Sequence, residues 1–477
     1  MSGKSIHLVG IGGVGMAGLA VLLKSRGHAV SGCDLKATAR TRWLESMGIR
    51  VDVGHSPEHL KGVDEVIVTP AVSRDNPELL ACGGIPVRFR GEVLAEIVNA
   101  GEGIAVCGSH GKTTTATWTA KLLRALGEPV SWCIGGETGS FPVAGVASIR
   151  QSANPTIEQS EQSEQSINSP LVVEADESDG TLALYRAKTL VVTNCEYDHP
   201  DHFRSREEYV ACYETAKRQA GEVIESEALD WELFDCSDCS IDGLRCCLES
   251  LPLHNRKNAR AAVEVALRRG HRLEDIAREL PSVVSELPDR RFQVVWPNRT
   301  IEQSEQSEQS EQSEQSTNPN NLLVVTDYAH HPSEIACAVG MARRRCRGTL
   351  RVLFQPHRYS RTKAFLGDFP AAFEGADEVL LCPVYAAFEQ PVSGGRIEDL
   401  YEACRRHFKE LPAGGTHGTP GVPSFSLCAS CDEAWAAARD AMRSGDVTLL
   451  LGAGDIISLV PRVQADLQPC KKRCSPV

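Results

Sequence analysis

No stretch of this 477-residue chain reaches the roughly 18 consecutive apolar residues that cross a bilayer, so a membrane partner is not expected. Residues 1–13 read as a strand entering a glycine-rich turn, which predicts neither a signal peptide nor an anchor. Base is scarce as well: 50 Lys+Arg face 63 Asp+Glu, for a net charge of −13. Eight of those glutamates sit in two Glu-Gln-Ser tracts, residues 158–166 and 302–316, which hold no base, so the rest of the chain carries −5. Without a basic stripe to replace condensed counterions, nucleic acid is not expected as a partner. The 18 cysteines lack the spacing of a disulfide framework; Cys33, Cys107, Cys195, Cys337 and Cys382 fall in apolar runs, as in a protein of the reducing cytoplasm. Cys236, Cys239, Cys246 and Cys247, and the pair Cys428 and Cys431, raise structural zinc, but ordinary reduced thiols are the simpler reading.

What is present is the composition of a soluble enzyme, 42% hydrophobic and 24% charged, at a length that suggests about three domains. Strand-like runs at 6–9, 29–33, 65–69, 104–107, 171–174, 190–193, 322–326, 350–354, 378–382 and 447–451 alternate with helical stretches such as 16–25, 113–126, 259–269 and 273–279. This is the βαβ pattern of parallel sheets and predicts an α/β fold of three consecutive domains, 1–100, 101–292 and 293–477. The Glu-Gln-Ser tracts have no apolar face at either period, so disordered inserts are expected at about 151–169 and about 299–320.

Three constellations carry chemistry. Gly10-Ile11-Gly12-Gly13-Val14-Gly15 lies between a strand and a helix, with Asp34 at the end of the next strand. Such glycines let backbone amides approach a diphosphate, and the acid can reach a ribose hydroxyl; the identity of the nucleotide stays open. Gly108-Ser109-His110-Gly111-Lys112-Thr113-Thr114 again joins strand to helix. It lacks the strict Walker spacing, yet keeps the amides that cradle phosphates, a lysine for the β/γ oxygens and a hydroxyl for Mg²⁺, so ATP is the expected ligand. Glu174 to Asp179, and Thr193 to His199, place hard oxygen donors and an imidazole at two further strand ends, where a divalent ion is expected.

In this order, and joined by Asp75-Asn76-Pro77-Glu78, His254-Asn255 with Asn258, Arg290-Arg291-Phe292, Asp327-Tyr328-Ala329-His330-His331-Pro332, the run from Phe354 to Thr362, and Gly452-Ala453-Gly454-Asp455, these residues resemble the Mur ligase family over nearly the whole chain. The resemblance implies a Rossmann-like first domain that binds a UDP-sugar, a P-loop-type ATPase in the middle and a Rossmann-like last domain. It implies ATP and Mg²⁺ as cofactors, and UDP-N-acetylmuramate and L-alanine as substrates joined through an acyl phosphate in the cytoplasm. Gly12, Gly13, Gly15 and Asp34 fall at the sugar nucleotide. Gly108 to Thr114, Asn255, Asn258 and Arg291 fall at ATP, and Thr113, Glu174 and His199 at Mg²⁺. Tyr328, His330, Arg358 and Arg361 fall where the family holds the amino acid and the activated substrate. Lys112, His199, His330, Arg358 and Arg361 are the catalytic set so implied. The chain departs from the family in a short, Cys-rich section between His202 and His254, in Pro252-Leu253 where a glycine is usual, and in Phe388 where the family favours glycine.

Competing readings are a sibling ligase for another amino acid or peptide, a non-catalytic relative, and a nicotinamide dehydrogenase resting on Gly10 to Gly15 alone. The dehydrogenase predicts a thermal shift with NADH, whereas the ligases predict one with a UDP-sugar and none with NADH.

Overall fold

The computed structural model describes residues 3–136, 142–145, 169–229, 244, 247–248, 251–297, 322–410 and 422–468. Both Glu-Gln-Ser tracts and Cys236, Cys239 and Cys246 lie outside them. Within these residues the apolar runs form three sheets, shared between two compact units, 1–289 and 290–477.

In the first unit, β1 (Ser5–Val9), β2 (Ala29–Asp34), β3 (Arg50–Val53), β4 (Glu65–Val68) and β5 (Val87–Phe89) pair in parallel in the order β3-β2-β1-β4-β5. The order reverses between β1 and β4, which opens a crevice at the carboxyl end of β1, where the glycine-rich turn lies. A second sheet comprises β6 (Gly103–Cys107), β7 (Ser131–Cys133), β8 (Ala144–Gly145), β9 (Leu171–Glu174), β10 (Thr189–Val192) and β11 (Glu222–Glu225). Its order is β11-β10-β6-β9-β7-β8, with β8 antiparallel. Strands β6 and β10 are buried at every residue, as unbroken apolar runs covered on both faces should be. With β6 flanked by β9 and β10, residues 108, 174 and 193 emerge along one edge.

One apolar core runs from the first sheet into the second: Leu8, Leu19 and Leu94 share it with Ala105, Val173, Tyr185 and Tyr209. The other face of the second sheet packs Ile104, Val106, Val172 and Val191 on Trp118, Leu122, Ala262 and Leu280 of three helices. One of these, Leu253–Arg268, starts six residues before the stretch its apolar pattern marks, because its first turns carry the polar His254, Asn255 and Asn258.

The second unit holds β12 (Gln293–Trp296), β13 (Leu323–Asp327), β14 (Leu350–Phe354), β15 (Glu378–Leu381), β16 (Ser424–Leu427) and β17 (Val447–Leu451). Their order is β12-β13-β17-β14-β15-β16, with β12 antiparallel. Residues 290–292, at the start of this unit, pack within it: the Phe292 amide donates to Asp327 Oδ2 at 2.7 Å.

Trp118 is fully buried, and its Nε1 donates to the Glu286 carbonyl at 3.1 Å. Trp118→Ala leaves both a cavity and an unpaired carbonyl, so the first unit should lose about 3–5 kcal/mol, read as a lower urea midpoint.

Candidate active site

Each motif sits where a parallel strand hands over to a loop. After β1 the chain turns at Gly10, whose amide, with that of Ile11, donates to the Cys33 carbonyl at 2.9 and 3.0 Å. Asp34 Oδ2 accepts from the Gly12 amide at 2.9 Å, so this acid braces the turn itself. Gly13 is the N-cap of the helix Val14–Ser25 and supplies no side-chain cap. Gly15 faces Arg90: a Cβ there would stand 3.0 Å from Arg90 Nη1. Arg90 Nη2 in turn donates to Asp176 Oδ2 at 3.2 Å, which ties the first glycine-rich turn to the carboxylate turn after β9.

The loop after β6 needs its glycines. Gly108 has φ +134° and Gly111 φ +81°, both in the left-handed region, and Cβ atoms there would fall 1.9 Å from Thr193 Oγ1 and 2.5 Å from Asn258 Oδ1. Polar neighbours hold the loop in place. Thr193 Oγ1 and Asn194 Nδ2 donate to the His110 carbonyl at 2.6 and 2.9 Å, the His110 amide donates to Asn194 Oδ1 at 3.0 Å, and Ser109 Oγ lies 2.8 Å from the Tyr209 hydroxyl. Asn258 Nδ2 donates to Asn255 Oδ1 at 3.3 Å, so the predicted asparagines pair with each other, and Asn258 packs against Gly111. Thr114 is buried behind the loop.

Lys112 opens the helix Lys112–Ala125, and its ammonium donates to Gly108 O at 2.6 Å and to Glu177 Oε1 at 2.8 Å. Burial alone would lower its pKa, but Glu177, Asp176 and Glu174 outweigh burial and raise it. Burial pushes Asp176 the other way, and Arg90, Lys112 and His199 hold its carboxyl down at about 2. Thr113 Oγ1 donates to Glu174 Oε1 at 2.9 Å, and the Gly135 amide to Glu174 Oε2 at 2.6 Å. His199, at φ +56°, places Nε2 3.5 Å from Glu177 Oε1. Glu177 is fully buried, and its Oε2 has no hydrogen-bond partner among the described residues. Glu177 Oε2, Glu174, His199 and the Thr113 hydroxyl are donors of the kind a divalent cation such as Mg²⁺ takes, although in this arrangement the two glutamates and the histidine do not lie within 4.8 Å of one another as a set. Sequence reasoning placed Glu177 among the hard oxygen donors expected at a divalent ion without singling it out, and it assigned no role to Arg90, which nothing local marks.

In the second unit, Arg290 and Arg291 lie over the Tyr328 ring, 4.5 and 5.0 Å from its centre. Tyr328 meets His330 edge-on at 5.3 Å, and His330 meets His357 at 5.8 Å, which stacks on Tyr385 at 5.5 Å. The His330 ring Nδ1 is 2.9 Å from the Tyr328 carbonyl. Arg361 Nη1 lies 3.3 Å from His357 Nδ1, and Arg358, at φ +71°, donates its amide to Tyr385 O at 2.8 Å. A row of contacts thus runs from Arg291 through Tyr328 and His330 to His357, which Arg361 and Tyr385 flank, with the Arg358 backbone beside Tyr385. Ala387 (φ +45°) and Phe388 (φ +73°) follow on the same loop, Phe388 being 92% exposed. Glu389 clamps that loop, accepting from the Ser360 amide at 2.9 Å and its hydroxyl at 2.6 Å. Cys428 and Cys431 belong to no group of three or more metal-type ligands among the described residues.

Three family models match the chain: "Mur ligase family, catalytic domain" over residues 5–102, "Mur ligase middle domain" over 106–218, and "Mur ligase, glutamate ligase domain" over 313–454. The UDP-N-acetylmuramate–L-alanine ligase of Gloeobacter violaceus is 32% identical, with 98% of this chain and 97% of the relative aligned. That of an Anaeromyxobacter species is 33% identical over 96% of each. Among solved structures, the UDP-N-acetylmuramate-alanine ligase MurC of Thermotoga maritima shares the fold, with a TM-score of 0.67, 23% identity and coverage of 96% of this chain and 98% of the other.

Asp327 titrates within the second unit's cluster. Burial raises its carboxyl to about 6, with Glu334 adding to the rise and Arg291 and the Phe292 and Ala329 amides opposing it. The folded value lies above the unfolded one of about 3.9, so the native state holds the extra proton between them. The resulting stability is complete below about pH 4 and is lost as pH rises through about 6; Asp327→Asn should flatten that part of the curve of urea midpoint against pH. Gly108→Ala, strained and clashing with Thr193, should abolish nucleotide binding in a fluorescent-ATP titration.

Proposed function

The chain belongs to the Mur ligase family, and from that premise we infer that it joins L-alanine to the lactyl carboxylate of UDP-N-acetylmuramate, at the expense of ATP, in peptidoglycan precursor synthesis. The observation that carries this reading is the gathering of Lys112, Thr113, Glu174, Glu177 and His199 at one edge of β6, β9 and β10.

A carboxylate is resonance-stabilised and does not accept an amine at neutral pH until one oxygen becomes a good leaving group. Transfer of the γ-phosphoryl group to the lactyl carboxylate supplies that leaving group as an acyl phosphate. Amides of Gly108 to Thr113 cradle the phosphates, and Lys112, already cationic and desolvated, neutralises charge on the transferred oxygens. Thr113, Glu174 and His199, joined by Glu177, would hold Mg²⁺, which supplies further charge neutralisation at those oxygens. Asn255, Asn258 and Arg291 are assigned to ATP, and Gly12, Gly13, Gly15 and Asp34 to the sugar nucleotide. Tyr328, His330, Arg358 and Arg361 hold L-alanine and the activated substrate, since guanidinium groups suit bidentate binding of carboxylate and acyl phosphate. The free amine then attacks the acyl carbon, and phosphate departs. The expected boundary at 292 moves to 289, since residues 290–292 pack with the last domain, so the domains are 1–100, 101–289 and 290–477. The protein works in the cytoplasm, in keeping with the buried thiols of Cys33, Cys107, Cys133 and Cys382.

Phosphate release from ATP, Mg²⁺ and UDP-N-acetylmuramate, followed with each amino acid in turn, tests the reading. L-alanine should support turnover best; best turnover with another amino acid, or none with any, refutes it. Lys112→Ala should lower kcat by at least about 10²-fold.

A further inference from the structure

The first sheet buries a group of side chains that the ligase reaction does not use. His7 lies in the middle of β1, Cys33 near the end of β2, His59 in the single turn Pro57–Leu60, and Glu78 in the short helix Pro77–Ala81, whose N-cap is Asn76. His7, Cys33 and Glu78 are wholly buried. One ligand-type atom from each of the four lies within 4.8 Å of all the others. The Cys33 thiol donates to Glu78 Oε2 at 2.9 Å, and His59 Nδ1 is 2.6 Å from Glu78 Oε1.

One atom is left over. His7 Nε2 has no hydrogen-bond partner among the described residues and faces Glu78 Oε2 at 3.7 Å. The opposite ring nitrogen, Nδ1, lies 3.0 Å from Ser31 Oγ, which fixes the ring with Nε2 turned into the group. Removing a carboxylate, a thiol and two imidazoles from water is costly unless each finds a partner, and His7 Nε2 finds only the Glu78 carboxylate, at 3.7 Å, beyond hydrogen-bond distance.

We propose that this group is a structural Zn²⁺ site, with His7 Nε2, the Cys33 thiolate, an imidazole nitrogen of His59 and the Glu78 carboxylate as its four ligands. Sulfur, nitrogen and carboxylate oxygen are the donors zinc takes, and its bond lengths of about 2.0–2.3 Å place tetrahedral ligands about 3.4–3.7 Å apart. The present separations, from 2.6 Å between His59 Nδ1 and Glu78 Oε1 to no more than 4.8 Å across the group, bracket that figure. Binding replaces the thiol proton, which leaves to solvent as the sulfur–metal bond forms. Ser31 then acts as the outer partner that orients a ligating histidine. His55 and His59, each 16% exposed, open a path from the surface. Because the Cys33 carbonyl holds the Gly10 and Ile11 amides, metal at Cys33 stiffens the glycine-rich turn.

The test uses the full chain, stripped with chelator and reloaded with Zn²⁺ or Co²⁺. The expected results are one equivalent of Zn²⁺ retained through dialysis, a higher melting temperature, and a thiolate-to-metal charge-transfer band in the Co²⁺ form. Cys33→Ser should remove that band, His59→Asn should weaken binding at least about tenfold, and Ser31→Ala should weaken it about 10- to 100-fold. Should Cys33→Ser fail to fold, His59→Asn, altered nearer the surface, decides the matter. Absence of stoichiometric metal in the wild type, or a Co²⁺ band and affinity unchanged in the folded variants, overturns the proposal, the metal then being absent or bound by other thiols.

Discussion

A lysine ammonium taken out of water must be repaid by anions, and the arrangement around Lys112 follows from that requirement. Glu177 meets it directly at 2.8 Å, while Asp176 and Glu174 contribute through space. Those acids come from the carboxyl end of β9 and the turn after it, and β9 lies beside β6 in parallel register. Like charges so crowded need cations of their own: Asp176 takes Arg90, and Glu177 takes Lys112 with His199 nearby. The result is a network in which no acid stands far from a base, with one carboxylate oxygen of Glu177 left over.

The loop above this network is shaped by polar side chains from neighbouring strands and helices more than by its own residues. Thr193 and Asn194 grip the His110 backbone, and Asn258 occupies the space that a side chain at 111 would need. A phosphate loop held in this way presents its amides without rearrangement, the preorganisation that makes electrostatic stabilisation effective.

Much of this was legible in the sequence because it is local. Strands β6, β9, β14 and β17 are short apolar runs, and the glycine-rich turns, the Lys112-Thr113 pair and the acids from 174 to 179 stand out within a few residues. What escaped is non-local or disguised. Arg90 meets Asp176 from 86 residues away, and no periodicity announces such a pair. The helix beginning at Leu253 hides behind polar residues that face the phosphate loop. The group formed by His7, Cys33, His59 and Glu78 draws on four elements, and although Glu78 lies in a quoted motif, nothing in the sequence ties it to the other three, whereas the cysteine pairs that do catch the eye lie elsewhere. In the second unit the residues around His357 carry familiar signatures singly, but only the fold stacks them into a chain of rings.

The core shared by the first two sheets has a practical side. Leu8, Leu19 and Leu94 are sealed by Ala105, Val173 and Tyr185, so the join near residue 100 marks a change of sheet without a loss of cohesion. Severing the gene there would yield two fragments, each baring a greasy wall made to be covered by the other, and both would clump in the test tube unless produced together.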